Sequence, residues 1–387
     1  MLSLRLARGA HPLVLLRRLL LTAVAGGVGF LLLCTLGHAA THPKDIDGSL
    51  VRLAWCAVPL AATAQLAAAI ARTDPATGPR SGLAAAGYGP GRLTLLTAVS
   101  AAVFCALGSG LALLVFLQLR GDLVGRPVAA TAELLGAGEP LPWAAVLTLL
   151  AVGPVTTAVA STVALRPREP RPEKSAPSGI SHGLPWGIAL TATGLALEAY
   201  AGRGPAPAPE SLFPLPGRLE GSPPGVVGGW ALTAIGLVLA GPGLAQLIGK
   251  VLSAGRPGAL RLLAGRVLQD DAVRIGRPLG VVCAVASGAL AAAELYGTAW
   301  ESAGPRPFGP LTGLGAAVVI ACATATAITA GMETRDRRGE TTAALLRLGA
   351  PASVLRGAAA LRTAVLLTVL AALTWAVGLL AALPLTR

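Results

Sequence analysis

Residues 93–119 read LTLLTAVSAAVFCALGSGLALLVFLQL, 27 positions without a charge, bounded by Arg92 before and Arg120 after. The hydrocarbon core of a bilayer needs about 20 mostly apolar residues of helix. A soluble helix of that length would keep a polar face, and this stretch has none. Similar segments fall at 19–38, 50–71, 143–165, 184–201, 226–248, 276–298, 309–331 and 359–385, of which 184–201 is the shortest. The fold class this predicts is an all-α integral membrane protein with about 9 (8–10) transmembrane helices.

Composition agrees. Of 387 residues, 54% are hydrophobic and only 13% charged, with a mean hydropathy of +0.69. A soluble domain carries about a quarter charged residues, so an ordinary cytosolic enzyme, a disordered chain and a disulfide scaffold are excluded. Cys34, Cys56, Cys105, Cys283 and Cys322 all lie in apolar runs, with neither CxxC nor Cys/His metal spacing, and read as small apolar membrane residues.

The net charge of +13 is a topology signal. With a cytoplasmic N-terminus, 23 of the 31 basic residues fall on the cytoplasmic side, leaving 8 outside. That is the positive-inside pattern, and it needs no nucleic acid. Trp55, Trp143, Trp186, Trp230 and Trp300 sit near span ends, as interfacial aromatics do. The expected location is the bacterial plasma membrane, multi-pass. Arg5 to Arg18, an apolar run and Gly37-His38-Ala39-Ala40 have the outline of a signal peptide. An uncleaved first span is the expectation, because that span takes part in an internal repeat.

The repeat has an offset of 262: Leu83 pairs with Leu345, Gly87 with Gly349 and Leu93 with Leu355. RLARG (5–9) before span one resembles RLLAGR (261–266) before span seven. Each half thus reads as a basic amphipathic lead-in, a span, a short outer loop, a span, a cytoplasmic helix–Gly–helix and a span. The expected domains are a first half at 1–165, a Pro- and charge-rich linker plus two insert spans at 166–256, and a second half at 257–387. In the second lead-in, Leu260, Leu263, Ala264, Val267, Leu268 and Ile275 share one helical face, which Leu262 and Asp271 interrupt. Such a helix is expected to lie at the cytoplasmic interface with its arginines toward anionic headgroups.

This arrangement resembles the FtsX-like permease family, the membrane subunits of ABC transporters of the macrolide-exporter and bacitracin-resistance type. The specific match is Glu340-x4-Leu345-Leu346-Arg347-Leu348-Gly349-Ala350-Pro351. In that family such a stretch forms the coupling helix that docks on the ATPase. The resemblance therefore implies ATPase-coupling roles for Glu340, Leu345, Arg347, Leu348, Gly349, Ala350 and Pro351, with Gly87 as the first-half counterpart. It implies a separate ABC ATPase, in two copies, as partner. Two departures stand out: the outer loops are too short for the extracytoplasmic domain common in the family, and the second half shows three spans against four.

The corner chemistry fits that role independently. Gly349 tolerates a left-handed backbone and Pro351 starts a helix. Arg335, Arg337, Arg338, Glu333 and Asp336 offer a polar rim.

Catalytic signatures are missing. GLAQLIGK (243–250) has the wrong spacing for a phosphate loop, and Val251 stands where Ser or Thr belongs. ATP hydrolysis is thus expected on another subunit, with no catalytic residues and no cofactor here. Glu198 and Glu294 are the acids inside spans, both near outer ends. They read either as interfacially solvated or as lining an outward vestibule for a cationic or peptide substrate. Gln65 and Gln246 read as interhelical hydrogen-bonding residues. His38 and His42, with Asp45 and Asp47 close behind, have helical spacing for a metal, but an ordinary polar loop explains them, and no metal is expected.

The reading is a permease that exports or extracts a lipid-like, peptide or antibiotic substrate, with membrane lipids as its other partner. Against it stand an ATP-independent secondary transporter and a non-transporting scaffold or sensor.

Overall fold

The computed structural model describes residues 12–73, 90–122, 135, 140–166, 183–203, 224–256, 258–301 and 310–383. Among the described residues 92% are helical and none lies in a strand. Ten helices follow in order: α1 (Pro12–Thr41), α2 (Ile46–Thr73), α3 (Pro90–Arg120), α4 (Trp143–Leu165), α5 (Gly183–Ala201), α6 (Pro224–Ser253), α7 (Ala259–Glu301), α8 (Pro310–Arg337), α9 (Gly339–Arg347) and α10 (Ala352–Ala382). Proline opens α1, α3, α6 and α8, where its missing N–H would have had no helical partner.

Eight of these helices are long and apolar enough to cross a membrane, which makes this a multi-pass membrane protein. The two outside that set are α5 and the nine-residue α9. α5 has only 19 residues, and Pro185, Trp186 and Glu198 dilute its hydropathy.

The chain forms two compact units. The first holds 1–169 with 310–326, and the second holds 170–309 with 327–387. In the first, α1 packs on α2, α3 and α4, and α4 on α2 and α3. Val24, Val28, Leu31 and Leu32 of α1 meet Cys56 and Leu66 of α2 and Val318 and Cys322 of α8 in one core. A second core joins Leu33 and Cys34 to Phe116 and Val146. All five cysteines are buried and free.

In the second unit α5 packs on α6, α6 on α7 and α7 on α10. Glycine makes the first two seams close. A Cβ on Gly187 would sit 2.5 Å from the backbone nitrogen of Ala240, and one on Gly194 would sit 2.7 Å from the carbonyl oxygen of Gly229. Along α6–α7, Gly241 meets Gly276 and Gly249 meets Gly265 backbone to backbone. Small residues let helices approach in this way where lipid supplies no hydrophobic drive between them. Beyond the glycines, Ile248 and Leu252 of α6, Leu268 and Ala272 of α7 and Leu366 and Leu370 of α10 share a core.

The lead-in at 259–275 is not a separate interfacial helix. It runs without interruption into span seven as the 43-residue α7, about 65 Å long at 1.5 Å per residue. That is about twice the hydrocarbon thickness. The reason lies in its packing: Ala264, Leu268 and Ala272 are buried against helices of the same unit, so its apolar face is covered by protein.

Candidate coupling site

The segment 331–362 turns the chain from α8 into α10 through α9. α8 ends in Glu333, Arg335, Asp336 and Arg337, where Arg337 pairs with Glu333 at 3.1 Å one turn back. Arg338 forms the turn, and its carbonyl oxygen accepts the amide of Thr342 at 2.8 Å, which starts α9.

α9 (GETTAALLR) projects from the unit. Residues 341–349 are all exposed, including Leu345, Leu346 and Leu348, the last at 83%. Two leucines on this nine-residue helix and a third just past its end are exposed, and a helix this short does not hold together in water by propensity alone. Its ends supply the order. At the C-terminal end, the amides of Gly349 and Ala350 bond back to Leu346 and Leu345 at 3.1 and 3.0 Å. Gly349 has φ +86°, the left-handed corner its residue type predicts. Pro351 follows in extended backbone (φ −69°, ψ 130°), and its carbonyl accepts from Val354 as α10 begins. α10 then runs unbroken for 31 residues, so α9 is joined to a membrane helix by the four residues 348–351.

At the N-terminal end the order comes from a charge. Asp271 of α7, 7% exposed, lies beside Arg338 at 2.5 Å and Arg362 of α10 at 4.0 Å, both measured from its Oδ2. Arg338 also donates from Nη2 to the carbonyl oxygen of Val267 at 2.7 Å. Asp271 interrupts the amphipathic pattern of the sequence, and the structure supplies its reason: it faces two arginines that arrive from elsewhere in the chain. Only the misfit hinted at this, because its partners stand 67 and 91 residues away.

The structure thus brings Leu345, Arg347, Leu348, Gly349, Ala350 and Pro351 into one projecting element, with the backbone of Glu340 in its first turn. Gly87, with 74–89, lies outside the described residues.

The two span acids lie in different surroundings. Glu198 is fully buried in the α5–α6 seam, where Oε1 accepts the hydroxyl of Thr233 at 3.2 Å, and is therefore not interfacially solvated either. Glycines at 194 and 229 let the helices close around it. Glu294 is exposed on α7. Of the polar spans residues, Gln65 is exposed on α2.

His38 and His42 stack face to face at 4.3 Å instead of converging on a point, with Asp45 at 3.9 Å from His38. Among the described residues no group of three or more His, Cys, Asp or Glu is placed to hold a metal ion.

No protein-family model, no curated protein and no solved structure matches this chain.

Proposed function

We propose that the chain is the permease subunit of an ATP-driven ABC transporter of the FtsX-like kind, exporting or extracting a lipid-like, peptide or antibiotic substrate. A separate ATPase, in two copies, hydrolyses the nucleotide. The observation that carries this reading is α9: an exposed helix with Leu345, Leu346 and Arg347, followed by exposed Leu348, held at its first turn by Arg338 and joined to α10 through the Gly349 corner. Leu345 and Leu346 on α9 and Leu348 just after it form an exposed apolar patch in the isolated chain, and such a patch suits a partner, since apolar surface left in water is unfavourable.

The internal repeat adds support. The offset of 262 relates the first residue of α3, Pro90, to the first of α10, Ala352. In one unit α1 packs on α3, and in the other their counterparts α7 and α10 pack together. Each half also ties its first helix to the end of its second by an arginine: Arg17 of α1 donates to Thr73 Oγ1 at 3.0 Å, and Arg338 after α8 meets Asp271 of α7. In this topology the N-terminus is cytoplasmic and α5 crosses with the other eight, giving nine spans in the bacterial plasma membrane.

The test is a mild-detergent pull-down of the tagged chain, with nucleotide hydrolysis assayed on the eluate and repeated with Glu340→Ala and Arg347→Ala together. An ATPase that co-purifies and is lost in the double variant is the expected result. A chain that elutes alone, without hydrolysis, would overturn the reading.

One observation favours a secondary transporter instead. Glu198 is a buried carboxyl in an interhelical seam, the kind of group that ion-coupled carriers use. Substrate flux in vesicles without nucleotide, abolished by Glu198→Gln, would move that reading to first place.

A further inference from the structure

The exposed α9 can transmit force only if something fixes its first turn as Gly349 fixes its last. We propose that Asp271 is the positioning residue that does this. It clasps Arg338, at the root of α9, and Arg362, on α10, to the extension of α7, so that α7, α9 and α10 respond to a docked partner as one body.

Three observations converge on it. Asp271 faces two cations from two other segments, at 2.5 and 4.0 Å, and is 7% exposed. Arg338 is held twice, by that carboxylate and by the carbonyl of Val267 one turn earlier on the same helix. Both contacts are made by Nη2, the first as an ion pair and the second as a hydrogen bond, so one end of the guanidinium is held against α7. The extension of α7 also meets α10 a second time, where a Cβ on Gly357 would come within 2.8 Å of Leu260. Leu268 and Ala272 of α7 and Leu366 of α10 share a core on the same two helices, and Asp271 is buried while Arg338 and Arg362 stay partly exposed. Such a charge pair is costly to break, because removing one partner leaves the other uncompensated.

The consequence is a division of labour at one site. The leucines of α9 provide affinity for the partner, and Asp271 provides transmission. This second role rests on the ATPase-coupled reading above, whereas the clasp itself does not.

The experiment therefore has two arms, both on the full chain. In the first, amide hydrogen exchange is followed by mass spectrometry for the wild type, Asp271→Asn, Asp271→Arg, Arg338→Asp and the exchanged pair Asp271→Arg with Arg338→Asp. Each single variant should speed exchange across 338–349 by about ten-fold or more while the other helices stay protected, and the exchanged pair should restore part of it, because Arg362 is left without its carboxylate. Unchanged exchange in the single variants, or equal loss of protection across the whole chain that the exchanged pair does not restore, would overturn the clasp.

In the second arm the co-purified ATPase complex is assayed. Asp271→Asn should retain the bound ATPase in wild-type amount and lose most of the stimulation of hydrolysis by the permease, part of which should return in the exchanged pair. Full stimulation in Asp271→Asn would sink the transmission role. If no ATPase binds the wild type at all, the functional reading and the transmission role fall together, while the first arm still decides the clasp.

Discussion

Thr233 of α6 donates its hydroxyl to Oε1 of Glu198 on α5 across 3.2 Å, while Oε2 of the same carboxyl finds no donor among the described residues. The pair sits where the two helices come closest: a Cβ on Gly229 would lie 2.5 Å from Cγ of Glu198. The carboxyl is thus enclosed by backbone, and its one hydrogen bond is the main compensation for leaving water.

Thr233→Val removes that compensation and should destabilise the protein by about 1–3 kcal/mol, the cost of an unsatisfied buried acceptor. Glu198→Leu in the same background replaces the orphan with an apolar group, so the double variant should be more stable than Thr233→Val alone. Thermal unfolding in detergent, read on all three variants, checks the order. A double variant less stable than either single would show that Glu198 has a partner that this geometry does not include.

The glycine seams make a sharper contrast. On α6, Gly236 faces the carbonyl oxygen of Gly187, which an added Cβ would approach to 2.8 Å, whereas Gly228 has nothing within 4 Å. Gly236→Ala should therefore cost about 1–3 kcal/mol by overpacking two backbones. Gly228→Ala should be neutral, or stabilising by up to ~1 kcal/mol from helix propensity. The same melting experiment on the two variants reads the difference, and equal effects would mean that α5 and α6 do not pack as described.

The α9 corner yields a third expectation. Gly349 has φ +86°, a region where a side chain costs roughly 1–2 kcal/mol. Gly349→Ala should loosen the α9–α10 corner and, on the proposed function, weaken recovery of the ATPase partner, and Gly349→Asn should be milder, since Asn tolerates that region better. By contrast Leu348→Ser, at 83% exposure, should leave the melting temperature within about a degree because it removes no packing. Its effect should appear only in the pull-down. A large loss of stability in Leu348→Ser would mean that α9 is covered by its own chain.

Most of the architecture was legible because a bilayer reads composition. Runs such as 93–119 have one physical explanation, and the helices fall where those runs do. The corner at Gly349 and Pro351 was legible for a related reason: few residue pairs suit a left-handed turn followed by a helix start. What sequence alone missed was polar residues whose partners are far away in the chain. Asp271 spoiled an amphipathic face until Arg338 and Arg362 arrived beside it. Glu198 looked interfacial because hydropathy treats every residue of a span as if it faced lipid, although this one faces Thr233. The length of α7 was missed because a drop in hydropathy near Asp270 and Arg274 reads as an interface, while the backbone simply continues as helix.

That same error bears on α5, and supplies the last prediction. Its contacts with α6 run from Gly183 against Leu239 to Ala201 against Gly225, about 27 Å of helix at 1.5 Å per residue. That is close to the hydrocarbon thickness. With Glu198 turned into the seam, much of the rest of its surface, including Ile188 and Trp186, is apolar and exposed in the isolated chain. A helix buried with its acid against a spanning partner and its apolar face outward should cross beside that partner. Single cysteines placed in the cysteine-free chain at Arg166 and Arg203, which flank α5 alone, should then label from opposite sides of the membrane in intact cells, Arg203 from outside. Labelling of both from the same side would leave α5 on the surface and the number of spans at eight.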